Sequence, residues 1–156
     1  MFFADPDAAF ANIARALRPS GRLVMMVWQT RDRNEWATTI QQSLTPDRAP
    51  SPTPTEGPNA FSLAGPPTVT EILTAAGFSA VTFTDVREPV YYGPDVAAAL
   101  TWVCGFSTTS AALKQLDSAA ADRALERLRA ALAAHATDDG IWLDSRAWIV
   151  TADRTS

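Results

Sequence analysis

The sequence predicts an α/β fold, on three observations. Residues 5–28 read as helix, tight turn and apolar strand, the second half of a strand–helix–strand unit. Residues 68–86 repeat the pattern as helix, glycine and alternating strand. The composition, 47% hydrophobic and 19% charged over 156 residues, suits a chain that buries a core and excludes low-hydrophobicity disorder.

The first helix is marked by Asp5 as N-cap and Pro6 as first helical residue, with Phe10, Ile13 and Leu17 at helical spacing. Arg18-Pro19-Ser20-Gly21 ends it. Leu23–Trp28 is unbroken apolar sequence, too short for a helix, and reads as a strand buried on both faces. Such a strand needs a neighbour on each edge; the only candidate for a preceding strand is Met1-Phe2-Phe3. Asn34 to Gln42 predicts a short helix with Trp36 and Ile40 on one side. Residues 43–67 hold seven of the eleven prolines and predict a loop, read either as a binding loop or as a surface insertion.

Thr68-Val69-Thr70-Glu71 has the Thr-x-x-Glu form of a capping box, and Gly77 closes the helix that it would start. Ser79 to Val86 alternates as a strand and is expected to continue through Val90-Tyr91-Tyr92, bent at Pro89. Helices are expected from Asp95 to Cys104, near Ala111 to Leu116, and from Asp117 or Ser118 to His135. A turn at Asp138-Asp139-Gly140 and a final strand from Ser145 to Thr151 complete the chain. The last two strands are expected to pair antiparallel, with 93–135 a helical insertion between them.

Charge and cysteine content exclude several classes. Thirteen basic against seventeen acidic residues give net charge −4, with no Lys/Arg cluster to track phosphates, so nucleic acid is not an expected partner. No apolar run approaches the roughly 20 residues of a membrane span, and no basic leader precedes an apolar stretch. A cytoplasmic location is the expectation. The single cysteine, Cys104, excludes an internal disulfide and a cysteine-based metal cluster.

Asp5-Pro6, Ala9-Phe10-Ala11-Asn12-Ile13, Ala16-Leu17-Arg18-Pro19-Ser20-Gly21-Arg22-Leu23 and Trp28 together resemble the middle of class I S-adenosylmethionine-dependent methyltransferases. Leu-Arg-Pro-Ser-Gly-Arg-Leu resembles the turn into that fold's fifth strand. Ala75-Ala76-Gly77-Phe78 resembles the helix end before its sixth. The resemblance covers nearly the whole chain and is most specific over 5–28. It implies a Rossmann-like sheet, here a partial one with strands five to seven, the last antiparallel between the other two, and flanking helices. It also implies S-adenosylmethionine as cofactor and a small-molecule acceptor.

The family's Gly-x-Gly-x-Gly loop has no counterpart. The seven glycines, at 21, 57, 65, 77, 93, 105 and 140, contain no Gly-x-Gly. Such a loop lets backbone approach a cofactor closely, so most cofactor contacts are expected to be missing. The expectation is one incomplete methyltransferase-like domain over 1–156, the substrate-side half, inactive alone and complemented by a separate amino-terminal half. A binding or assembly module that dimerises through an open sheet edge is the competing reading. An internal methionine taken as the start is a third.

Methyl transfer is an in-line displacement that requires positioning and exclusion of water. Ligands of open α/β sheets lie beyond the carboxyl ends of strands. Phe3, Trp28, Asn34 and Trp36 fall there and are the substrate-side candidates. Core packing competes for the two tryptophans, and helix capping competes for Asn34. His135 is the only histidine; a cation favoured at a helix end competes with a general base. Cys104 reads as buried and inert, Tyr91-Tyr92 as a strand edge or pocket wall, and Asp138-Asp139 as a turn. No catalytic residue and no metal site are assigned.

Overall fold

The computed structural model describes residues 1–45 and 58–155. Its elements are α1 (Pro6–Ala16), β1 (Arg22–Trp28), a 3₁₀ turn (Arg31–Arg33), α2 (Glu35–Leu44), α3 (Pro66–Ala75), β2 (Phe78–Val86), β3 (Val90–Gly93), α4 (Val96–Cys104), α5 (Ser107–Lys114), α6 (Ser118–Ala133), β4 (Ala136–Thr137), β5 (Gly140–Leu143) and β6 (Ala147–Arg154). The described fold is mixed α/β, with six α-helices and two three-stranded antiparallel sheets. The part of the proline-rich loop between 46 and 57 lies outside the described residues.

The chain divides into two compact units. The first comprises Met1–Arg33, Pro52–Arg87 and Arg146–Ser156, and the second Asn34–Ser51 and Glu88–Ser145.

In the first unit the sheet order is β1-β6-β2, and β6 runs antiparallel to both neighbours. β1 and β2 are therefore parallel to each other. The expected antiparallel pairing of the closing strand is observed, in the register Met25↔Val150 and Phe83↔Val150. α1 is capped as its sequence dictates: the Asp5 carboxylate accepts from the Ala8 N–H at 2.9 Å, and Pro6 needs no acceptor in the first turn. The turn after α1 puts Ser20 at φ +59 and is closed by Gly21 N–H donating to Arg18 O at 2.9 Å.

Helices α1 and α3 cover one face of this sheet. Phe10, Ala14, Val69 and Leu73 meet Val27, Phe78, Val150 and Ala152, all buried. β1 itself is not buried on both faces, which corrects the sequence expectation. Leu23, Met25 and Val27 point to the core, whereas Val24 and Met26 are 59% and 52% exposed. The period of two decides this: alternate residues of an apolar run face opposite ways, and among the described residues helices cover only one of those ways. Among the described residues β1 pairs with β6 alone and forms an edge of this sheet.

α3 also departs from expectation. It starts at Pro66 with Gly65 at the N-cap, so Thr68 lies inside the helix and makes no capping box. Two prolines fit the first helical positions better than any later ones, and they draw the start three residues forward. Gly77, at φ +88, ends the helix as predicted.

The second unit packs α2, α4, α5 and α6 around Ile40, Leu44, Ala99, Val103, Ala124, Leu128 and Leu132, with Tyr92, Ile141 and Leu143 from its sheet. That sheet has the order β3-β5-β4. β3 is thus not a continuation of β2: Arg87-Glu88-Pro89 separates two strands of different sheets. β4 and β5 form a hairpin at the predicted Asp138-Asp139-Gly140 turn. Gly140 has φ +117, and a Cβ there would stand 2.6 Å from Gly93 O. Asp95 and Asp117 cap α4 and α6, each accepting a backbone N–H at 2.8 Å. α5 begins at Ser107, earlier than the expected Ala111.

Candidate functional site

The four sequence-predicted residues divide evenly between the units. Phe3 and Trp28 belong to the first. Phe3 is 43% exposed and packs edge-to-face on Phe10 of α1, with ring centroids 5.9 Å apart. Trp28 ends β1, half-buried and opposite Ala147. Asn34 and Trp36 belong to the second. Asn34 is fully buried at the N-cap of α2, and its backbone carbonyl accepts from the Ala37 and Thr38 N–H groups. Its side chain does not cap: Asn34 Oδ1 accepts from Trp36 Nε1 at 3.0 Å. Trp36 packs its ring against the core of the second unit. This pair is a local clasp in which the carboxamide fixes the indole.

At the carboxyl end of β1 in the first unit, a polar network ties the three strands together. Gln29 is buried and donates Nε2–H to Asp85 Oδ1 at 2.6 Å and to Ala147 O at 3.0 Å. Gln29 Oε1 accepts from Arg33 at 3.3 Å. Asp85 Oδ2 accepts from Arg87 at 2.8 Å and lies 3.5 Å from Arg146. The Arg87 bond first, and then the Gln29 bond, hold the Asp85 carboxyl below its ordinary range. A buried amide with all of this satisfied fixes the ends of β1, β2 and β6 relative to one another.

Beside that network, Arg31 lies over the Phe61 ring, with its guanidinium carbon 4.7 Å from the centroid. Among the described residues no carboxylate pairs with it.

The second unit carries the only histidine. His135 Nδ1–H donates to Ala131 O at 2.7 Å, and Nε2–H donates to Glu35 Oε1 at 2.9 Å. The other Glu35 oxygen accepts the Asp144 N–H at 2.8 Å. Both acceptors of the imidazole are oxygens without protons, so satisfying both contacts requires both ring nitrogens to carry hydrogen. Burial alone lowers the His135 pKa. The Ala131 carbonyl, the Glu35 bond and charge, and the Asp144 charge outweigh it, and the net shift is upward. Burial likewise raises Glu35, but His135 and the Asp144 N–H bring it below its ordinary range. The imidazole has no nitrogen left for a substrate proton. This places His135 in a structural clasp, at the carboxyl end of α6 where a cation is favoured.

The remaining candidates resolve simply. Tyr92 is buried in the second core, and burial pushes its phenol up. Tyr91 stacks tilted against Trp142 at 4.9 Å across the β3–β5 pair. The Cys104 thiol is half-buried and raised by that burial, which is the opposite of an activated nucleophile. An open groove of about 540 Å³ runs along α4, lined by Ala98, Thr101, Trp102, Gly105 and Phe106. Among the described residues no group of three or more metal-ligating side chains converges.

Sequence reading missed the Gln29–Asp85 bond, the Glu35–His135 pair and the Arg31–Phe61 stack. The first two join residues 56 and 100 positions apart, and no motif spacing signals them. One signal was available for Gln29: a polar side chain directly after an unbroken apolar strand.

No protein-family model and no curated protein matches the sequence. Among solved structures, the crystal structure of the YcgJ protein from Bacillus subtilis aligns with a TM-score of 0.49 at 12% identity. The alignment covers 99% of this chain and 60% of that one, so the chain spans about three-fifths of that structure's length. No single helix among the described residues is long and apolar enough to cross a membrane.

Proposed function

We propose that this chain supplies the substrate-side part of a class I S-adenosylmethionine-dependent methyltransferase acting on a small molecule, and that it needs a cofactor loop from elsewhere. The observation that carries the reading is the β1-β6-β2 order, antiparallel on both sides of β6, joined to the motif at 5–28. That order matches the resemblance's expectation for the fifth, seventh and sixth strands. Phe3 and Trp28 of the first unit are the proposed acceptor contacts.

The residues present do not fit the cofactor itself. Among the described glycines, Gly77 and Gly140 sit at positive φ after a helix and in a hairpin, Gly65 and Gly105 cap helices, and Gly93 ends β3. None stands in a glycine-rich strand-to-helix loop of the kind that would admit a nucleotide. No transfer step is therefore assigned to this chain alone. The test is complementation. A second chain bearing a glycine-rich amino-terminal half is added, and labelled methyl transfer from S-adenosylmethionine to a small-molecule panel is measured. Transfer is expected only with both chains present; transfer by this chain alone would sink the reading.

A second reading rests on β1. Its outer edge and the exposed Val24 and Met26 offer an association surface of the kind that edge strands present. In this reading the chain is a non-enzymatic module that forms a homodimer through β1. Sedimentation of the wild type and of Val24→Asp separates the readings. A dimer that the charge converts to monomer favours the module, and a wild-type monomer removes it.

A further inference from the structure

We propose that Arg31 and Phe61 form an oxyanion-binding site in the first unit, one that takes a carboxylate or phosphate group of a small ligand. Three features place it. Arg31 opens the 3₁₀ turn directly beyond the carboxyl end of β1, where open α/β sheets receive ligands. Its guanidinium carbon lies over the Phe61 ring, 4.7 Å from the centroid, a cation–π contact that holds the group while its N–H groups remain able to donate to a planar or tetrahedral oxyanion. Among the described residues neither a carboxylate nor a carbonyl accepts from those N–H groups.

Arg31 differs from the arginines around it. Arg87 and Arg146 share Asp85, and Arg33 donates to Gln29. Arg31 is partly buried and has an aromatic partner but no anionic one. Asp32, next in sequence, is exposed and makes no ion pair with it. A cation withdrawn from water without a counter-charge is unfavourable unless a ligand supplies one. Burial also pulls the Arg31 guanidinium below its ordinary range. The site does not depend on methyl transfer, and it holds whichever chemistry the chain serves.

The experiment uses the full chain with inorganic phosphate and acetate as probes, against chloride at matched ionic strength. The thermal midpoint and the Arg31 Nε–H resonance are followed together. The wild type should gain midpoint and show a saturable movement of that resonance. Phosphate alone giving the response identifies a phosphate ligand, and acetate alone a carboxylate. Arg31→Gln should lose the midpoint gain, Arg31→Lys should keep a weakened one, and Arg129→Gln on α6 should keep it whole. No movement of the Arg31 resonance in the wild type overturns the proposal, whether or not the variants fold. A midpoint gain of the same size in Arg31→Gln also overturns it.

Discussion

The two units build their cores by different means. In the first, two helices lie on one face of a three-stranded sheet, and the other face shows Val24 and Met26 to solvent. In the second, four helices surround a core whose helical contacts are largely Ala, Val and Leu, closed by a short hairpin sheet. The first unit thus has one covered face and one bare face, an arrangement that antiparallel sheets commonly adopt. The second encloses its helical core but leaves Tyr91 and Trp102 exposed. The difference leaves β1 of the first unit with an exposed apolar face.

Core truncations should give the largest effects. Leu73 in the first unit and Leu128 in the second are both fully buried. Replacing either by Ala should cost about 2–5 kcal/mol. Hydrogen exchange should show loss of protection confined to the unit that carries the change. Loss across both units from one substitution would break the division.

Gly140→Ala comes next. It places a Cβ 2.6 Å from the Gly93 carbonyl at φ +117, a backbone that L-residues rarely adopt. A loss on the order of 3 kcal/mol is expected in chemical denaturation of the second unit. Cap removal is smaller. Asp5→Ala in the first unit and Asp117→Ala in the second should each cost about 1 kcal/mol, because each removes one N-cap bond of the same kind. Unequal losses would show that one helix depends on its cap more than the other.

The smallest effect is a pH dependence of the second unit. His135 is raised above its ordinary value of 6.5, so its contribution is complete below that value and is lost as pH rises through the raised one. Glu35 is lowered from 4.5, so its contribution is present above that value and is lost as pH falls through the lowered one. Stability of the second unit should therefore be greatest between these limits. His135→Gln should flatten the alkaline side of the profile. An unchanged profile in that variant would remove the clasp from the account.

How much of this was legible in the sequence depends on locality. Asp5, Asp95 and Asp117 announce helix starts because a cap bond spans three residues. Gly77 and Gly140 announce turns because their backbone angles exclude most side chains. The central β6 was legible from its length and β-branched content. The second sheet was not: Ile141-Trp142-Leu143 is too short a run to distinguish from a loop, and β3 looked like the tail of β2. The exposure of Val24 and Met26 was invisible because an apolar run does not say how many of its faces are covered. Of the candidate site, single residues were legible but their partners were not. Asn34 and Trp36 were named from their position after β1, whereas the bond between them, Gln29 on Asp85 and Arg31 on Phe61 depend on tertiary packing.

Calorimetric titration of the isolated chain with S-adenosylmethionine tests the central claim most directly. The account predicts no saturable heat, because the 156 residues contain no Gly-x-Gly. Tight, stoichiometric binding by the chain alone would contradict it.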